Sequence, residues 1–454
     1  MKLDELRRAL ISIVLINAGF LLFSYNFDLA RPILNIDYSV VLLLLTLGRY
    51  MLAGVFSIFL LIVDVLVLLA QVVPFPRIGD LVYLIKLAPL ASGFHLILII
   101  VVALILLVKL ASFIWIGRRV SFRAALLLLN ALLFMQIALV YVFDRDSSAA
   151  SYSRVHGAPI ASQAMSYLSM RSDLFLEYYK SEAVLKPRDG GAADIWYEEL
   201  ENQRLASRLL LVVVESWGVP IYPEVQDALL APLKSIGGDS WAEGLLSGNG
   251  STVDAELREL CRLHSSSYNL ADVKEGLEFC LPNRLKEAGY ATAAIHGATG
   301  LMYDRHAWYP RAGFEHREFF ESRVWPRRCF SFPGACDLDV RGRVSDFFEA
   351  PGPRLLYWLT LNSHSPYDHR DILIPSDFDC QAFSIDNASE TCRNLLLQSQ
   401  FFTGLAQMLK APHMVGTDVI VVGDHVPVMM NVAERRRNFR ESEIPWVRFT
   451  VKHP

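Results

Sequence analysis

The chain has 454 residues, too many for one ordinary hydrophobic core, so two or more folding units are expected. Its net charge of −4 leaves no bulk electrostatic case for nucleic-acid binding. The apolar content of 53% is high for a soluble protein, and the excess is concentrated in residues 9 to 144, which excludes a uniformly water-soluble reading.

Lys2, Arg7 and Arg8 precede an apolar run from Ala9 to Tyr25. No convincing small-residue cleavage site follows, so a retained helix is expected rather than a signal peptide. A long apolar stretch, 33–73, is interrupted at Gly48-Arg49, and further runs cover 92–116 and 124–143. The N-terminus and the loop Gly117-Arg118-Arg119-Val120-Ser121-Phe122-Arg123 are both cationic, so both are expected on the cytoplasmic side. An even number of crossings must separate them, which favours a hairpin at Gly48-Arg49 and five helices in all. The first arm of that hairpin is only just long enough to cross. Asp64 and Lys109 fall inside these spans; Lys109 is near enough to an end to snorkel, and the sequence names no partner for Asp64.

Residues 146–207 read as a polar connector with an amphipathic patch at 166–179, whose Phe175, Tyr178 and Tyr179 suit either a bilayer surface or packing on the domain that follows. The domains expected are therefore a transmembrane domain at 1–145, this connector, and a catalytic domain at 208–454. All six cysteines (261, 280, 329, 336, 380 and 392) lie in the last part. Their even number and the absence of a C-x-x-C clip favour disulfides, with neighbours in sequence paired as the simplest connectivity. Disulfides imply an oxidising space such as a periplasm, on the side to which five crossings deliver the chain.

In 208–454 four apolar runs end in polar residues. Leu209 to Val214 ends at Glu215, and 291–296 ends at His296. Residues 354–361 end in Asn362-Ser363-His364, and 418–423 in Asp424-His425. Such runs read as strands buried on both faces, and in an open α/β sheet ligands gather beyond the carboxyl ends of the strands. Any one of these residues alone reads as a satisfied turn; four together point to one site. Carboxylates with a histidine suit a divalent cation. Between the first two strands a Gly-rich loop enters a helix with Ser251 at the N-cap, Asp254 at N3 and Thr252 on the first turn. Plain capping explains the loop, but the turn also suits a phosphate, and a metal beside it makes a threonine hydroxyl nucleophilic. Arg305, nine residues past His296, offers a fork for phosphate oxygens, or else pairs with Asp304 at the surface. His306 and His369 are candidates to support these residues. Asn249 and Asn387 match the glycosylation sequon, but the first overlaps the candidate site and is discounted.

Together LVVVES at Glu215, GST at Thr252, IHG…YDR at 296–305, LNSHSPY at 361–367 and VVGDHVP at 421–427 resemble the lipoteichoic acid synthase-like group of the sulfatase/alkaline phosphatase superfamily. The resemblance covers essentially the full length and implies an N-terminal multi-pass α-helical membrane domain plus an α/β domain with a central mixed, mostly parallel sheet. It implies that Glu215, Thr252, Asp424 and His425 bind one divalent metal ion, manganese favoured and zinc possible, with Thr252 as nucleophile. It implies that His296, Tyr303, Arg305 and His364 contact the phosphoryl group and headgroup. Tyr303 stands where a tryptophan is expected. The cysteines are not a feature of the Gram-positive members and point to a Gram-negative inner membrane with the catalytic domain in the periplasm. The formylglycine signature of sulfatases is absent around Thr252.

The expected activity is a transferase that moves a phospho-alcohol headgroup, phosphoglycerol first, from a phospholipid of the bilayer to a glycan or other hydroxyl acceptor through a covalent threonine intermediate. The alternatives are a phosphoethanolamine transferase, a phosphodiesterase or phosphatase with water as acceptor, and a scaffold that keeps the fold without the chemistry.

Overall fold

The computed structural model describes residues 3–26, 31–69, 93–143, 160–171, 184–188, 190–247, 250–273, 275–332, 334–374, 377–429 and 431–452. Phe175, Tyr178 and Tyr179 of the expected amphipathic patch lie outside them, as does Asn249 of the first sequon. The chain divides into two compact units, Met1–Leu176 and Glu177–Pro454.

In the first unit the apolar runs form α1 (Leu3–Asn26), α2 (Asp37–Thr46), α3 (Tyr50–Leu69), α4 (Gly93–Gly117) and α5 (Phe122–Phe143), and α6 (Gln163–Arg171) follows. The break between α2 and α3 falls at Gly48-Arg49, where Gly48 takes a φ of +72° that favours glycine. The hairpin's first arm is shorter than the sequence reading, because the helix starts at Asp37 rather than near Ile33. Leu34 and Asn35 instead pair in parallel with Ile160 and Ala161, and the Asn35 side chain accepts the Asp37 N–H at 3.1 Å. Ten residues rise about 15 Å, roughly half the hydrocarbon thickness of a bilayer. Among the described residues one helix, Tyr50–Leu68, is long and apolar enough to cross a membrane by length and composition.

Ser121 Oγ reaches Glu5 at 2.5 Å, and the Arg118 guanidinium lies 4.7 Å from the Tyr50 ring centre. The start of α1, the hairpin tip and the cationic loop thus share one end of this unit. Asp64 has a partner after all. Arg31 donates to it from Nε at 2.9 Å and from Nη2 at 2.8 Å, and both side chains are fully buried. Asn35, Tyr38 and Gln163 donate to the same carboxylate. Lys109 extends to the Leu15 carbonyl on α1.

The second unit is built on a seven-stranded sheet. Its strands are β1 (Arg208–Val214), β2 (Ala242–Ser247), β3 (Ala291–His296), β4 (His316–Glu318), β5 (Arg354–Leu359), β6 (Asp418–Gly423) and β7 (Glu443–Thr450). They lie in the order β2-β7-β6-β1-β5-β3-β4. Pairings from β6 through β4 are parallel, and β7 runs antiparallel to β6 and β2. Apolar runs without alternation suit this, since a central parallel strand is covered on both faces. Leu210, Val212 and Val214 of β1 join a core with Leu229 and Leu233 of α8 (Pro223–Gly237), Val340 and Val344 of α12 (Asp337–Phe347), and Leu395 and Phe402 of α13 (Glu390–Leu409). The opposite face carries α7 (Asp194–Glu201), tied by Trp196 Nε1 to Asp418, and α9 (Thr252–Cys261), tied by Arg258 Nη2 to the Gly423 carbonyl. Helices α10 (Leu281–Glu287), α11 (Arg305–Ala312) and α14 (Val432–Asn438) belong to the same unit.

Register aligns the strand ends that carry the candidate site residues. Val214 lies opposite Gly423, and Leu359 lies opposite both Val213 and His296. The carboxyl ends of β1, β3, β5 and β6 therefore finish level. Disulfides join Cys261 to Cys280, Cys329 to Cys336 and Cys380 to Cys392, the pairs expected from sequence proximity.

Candidate active site

Glu215 leaves the sheet at the end of β1, and its backbone is gripped on both sides. Its N–H donates to Thr360 Oγ1 at 2.9 Å, while its carbonyl accepts from Ser363 Oγ at 2.6 Å and Gln398 Nε2 at 3.0 Å. Ser216 follows in a left-handed conformation, φ 53°, and its hydroxyl donates to Glu215 Oε1. Asp424 leaves β6 directly opposite, where its Oδ1 accepts the N–H groups of Ser216 at 2.7 Å and His425 at 2.6 Å. Gly423 has to be glycine, because a Cβ there would collide with the Trp217 carbonyl oxygen.

Thr252 is the first residue of α9. Ser251 caps the helix, and a capping box with Asp254 fixes where it begins. Thr252 Oγ1 lies 3.1 Å from Asp424 Oδ2 and 3.4 Å from Glu215 Oε2. His425 Nδ1 is 3.0 Å from the Val426 carbonyl, which holds that nitrogen's proton and turns Nε2 toward the carboxylates. Nε2 lies 3.3 Å from Asp424 Oδ2 and 3.5 Å from Glu215 Oε1. Glu215, Asp424 and His425 present ligand atoms all within 4.8 Å of one another.

The electrostatics show what this cluster lacks. Burial and the charge of Glu215 push the Asp424 carboxyl up to about 7. Burial draws the His425 imidazole down, but the carboxylates of Asp424 and Glu215 outweigh it and hold it above its ordinary value. Two buried acids, an imidazole nitrogen and a hydroxyl make a donor set short of positive charge, and one divalent cation fits both the geometry and the deficit.

His296 and His364 occupy the neighbouring strand ends. Burial pulls His364 down to about 4, despite its contact with the Ser365 carbonyl. Burial and then the Arg305 charge hold His296 well below its ordinary value. Each ring keeps Nδ1 against a carbonyl, Leu359 for His296 at 3.0 Å and Ser365 for His364 at 2.5 Å. A carbonyl only accepts, so Nδ1 carries the proton in each, and Nε2 presents a lone pair. Tyr303 and Asp304 take consecutive left-handed conformations before Arg305. Arg305 is neither at the surface nor paired with Asp304. It is buried against Glu256, its guanidinium 5.1 Å from the Tyr303 ring centre, while Asp304 accepts the Leu270 and Ala271 N–H groups.

His306 meets Glu321 at 2.5 Å and the Phe319 ring edge, and His369 is exposed beside Asp368. Three residues at the site had no sequence signal assigned to them. Glu256 sits four positions after Thr252, a spacing that places both on one face of a helix. Asn394 and Gln398 share the same spacing on α13, and both donate to the Ser216 carbonyl.

A mixed α/β sheet with acids, a histidine and a helix-borne threonine converging at its carboxyl edge defines the class: an α/β fold built around a candidate metal centre. The sulfatase family model matches residues 245–444, from β2 to the first residues of β7. The superfamily is the one that the strand-end motifs resemble. Among solved structures the chain is similar to the lipoteichoic acid synthase LtaP from Listeria monocytogenes. That match has 14% identity and a TM-score of 0.42, over 55% of this chain and 66% of that one. It is similar to the Streptococcus pyogenes phosphoglycerol transferase GacH in complex with sn-glycerol-1-phosphate, at 15% identity and a TM-score of 0.38, over 58% and 77%. It is also similar to the integral membrane lipooligosaccharide phosphoethanolamine transferase A from Neisseria meningitidis, at 13% identity and a TM-score of 0.35, over 98% and 77%. The chain thus spans just under two thirds of the Listeria protein. No curated protein matches it.

Proposed function

We propose that this chain is a membrane-anchored, metal-dependent transferase that moves a phospho-alcohol headgroup from a phospholipid to a hydroxyl acceptor through Thr252. One observation carries the reading: a threonine hydroxyl at a helix N-terminus, 3.1 Å from one buried carboxylate and 3.4 Å from another, with His425 Nε2 alongside. A structural threonine does not need two acids.

Glu215, Asp424, His425 and Thr252 are the residues that would hold a single divalent ion, with manganese favoured and zinc open. Bound there, the ion lowers the pKa of the threonine hydroxyl and offsets charge on the phosphoryl oxygens. Thr252 Oγ gives up its proton and attacks phosphorus; the bond from phosphorus to the glycerolipid oxygen breaks, and that oxygen takes up one proton in exchange and leaves as an alcohol. The headgroup phosphate stays on Thr252 until an acceptor hydroxyl, on a glycan in the favoured reading, displaces it. Arg305 supplies positive charge to the phosphoryl group. The lone pairs on His296 and His364 suit hydrogen-bond donors of the headgroup, hydroxyl or ammonium, better than phosphoryl oxygens.

Several features support the setting. The first unit exposes large apolar side chains, among them Met51 at 86% and Phe134 at 75%, as a lipid-facing surface would. Its cationic end suits the cytoplasmic face. Three disulfides suit an oxidising space, which supports a periplasmic setting for the catalytic unit. Incubation with native lipids followed by mass spectrometry of the Thr252 peptide tests the reading. An adduct is expected on the wild-type chain and none on Thr252→Ala. Its mass separates phosphoglycerol from phosphoethanolamine, and its loss to water without added glycan marks a phosphodiesterase. A Thr252→Ala variant with undiminished transfer removes the mechanism.

A further inference from the structure

Glu256 is fully buried one helical turn beyond Thr252 and lies within reach of four donor groups. Arg305 donates from Nη2 to Oε2 at 2.7 Å, and its Nε lies 3.1 and 3.2 Å from the two oxygens. The Tyr309 hydroxyl donates to Oε1, and the Tyr357 hydroxyl approaches the same atom at 3.3 Å. Those tyrosines come from α11 and β5, so one carboxylate ties three elements together beneath the strand ends. Arg305 is 1% exposed, and the grip uses one edge of its guanidinium. Its remaining nitrogen, Nη1, is buried and has no hydrogen-bond partner. A buried guanidinium N–H without an acceptor is costly unless a ligand completes it. The charge bears on His296 at the end of β3, and the Tyr303 ring covers it.

We propose that Glu256 is the positioning residue that holds Arg305 by its Nε–Nη2 edge, so that Nη1 is kept for a phosphoryl oxygen of the substrate. The inference rests on the functional reading above and deepens it: the helix that carries the nucleophile also carries the counter-charge that sets the phosphate-binding arginine. The spacing supports it, since Thr252 and Glu256 are fixed relative to each other by about 6 Å of helix rise. Through Glu256 the helix holds the Nε–Nη2 edge of Arg305 at a constant offset from Thr252. A guanidinium already held by its carboxylate does not have to be gathered when charge develops on phosphorus.

The test uses the full chain in detergent or nanodiscs, assayed well below the Tm of each variant. Glu256→Gln is expected to lower kcat/KM for lipid at least 30-fold and to weaken inorganic phosphate binding about 10-fold. Glu256→Asp, which keeps the charge but withdraws it, is expected to fall between. A second arm uses chemical rescue. Millimolar methylguanidinium is expected to restore Arg305→Ala at least 10-fold, because Glu256 recaptures the free guanidinium. The Arg305→Ala/Glu256→Gln double variant is expected to show no such rescue. A purely structural Glu256 predicts wild-type kinetics for folded Glu256→Gln, or equal rescue in both backgrounds; either result overturns the proposal. A wild-type chain that forms no Thr252 adduct overturns the functional reading and this inference with it. A wild-type adduct with an undiminished Glu256→Gln rate overturns this inference alone.

Discussion

At the scale of single residues, strand-end groups were readable because a polar side chain that stops an apolar run has nowhere to go but the sheet's edge. Glu215, His296, Asp424 and His425 announce themselves that way. Glu256 and Asp64 do not. Each lies inside a helix, and its meaning depends on a partner far along the chain: Arg305 is 49 positions from Glu256, and Arg31 is 33 from Asp64. Asp337 belongs with them. It accepts the N–H groups of Leu361 and Asn362, so it shapes the turn that carries His364, yet burial pushes its carboxyl up to about 7 from 3.8. The folded state therefore binds this proton more tightly than the unfolded chain does. Its contribution to stability is fully present below about pH 4 and declines as pH rises toward 7, at roughly 1.4 kcal/mol per pH unit for one proton. Urea titrations at pH 5 and pH 7.5 are expected to show a smaller pH dependence in Asp337→Asn than in wild type. An identical dependence in both would mean that Asp337 does not titrate in this window.

At the scale of elements, four strands of the sheet and the start of α9 were visible in the sequence. Long apolar runs and a Ser-x-x-Asp capping pattern are local signals. The antiparallel strand β7 and the edge strands β2 and β4 carry no long apolar run. Their burial is set by neighbours; β2 alternates exposed and half-buried residues, and β4 has three residues. Helix α13 shows a further limit. In the sequence the amides of Asn394 and Gln398 are indistinguishable from exposed polar side chains. In the fold both are buried, and Gln398 Nε2 reaches the carbonyls of Glu215 at 3.0 Å and Ser216 at 3.1 Å. That contact fixes the backbone from which a proposed metal ligand projects. Supporting groups of this kind are typically worth roughly 10- to 100-fold in metal affinity. Gln398→Ala is expected to weaken manganese or zinc binding by that factor in titration calorimetry, while the protein stays folded at the assay temperature. Unchanged affinity would show that Thr360 and Ser363 hold the loop without it.

At the scale of the whole molecule, composition separated an apolar first unit from a second unit that holds every cysteine. A disulfide gains most of its stabilising effect by restricting the unfolded chain, and the gain grows slowly with the loop it closes. Cys261–Cys280 closes the longest of the three, with a separation of 19, against 7 for Cys329–Cys336. Opening it is expected to cost about 3 kcal/mol, and opening the shorter one about 1 kcal/mol less. Its position sharpens the expectation. Cys261 is the last residue of α9, and Cys280 precedes the first turn of α10, so the bond fastens the end of α9 that is farthest from Thr252. The capping box at Ser251 fixes the Thr252 end of the helix. Cys261→Ala/Cys280→Ala is therefore expected to unfold at lower urea, while still forming the Thr252 adduct at low temperature. Tryptophan fluorescence can follow the transition, because Trp115 is the sole tryptophan of the first unit and the other seven of the chain's eight report on the second. A variant that keeps wild-type stability but loses the adduct would mean that the register of α9 at Thr252 depends on its far end, and that the capping box is not sufficient to position the proposed nucleophile.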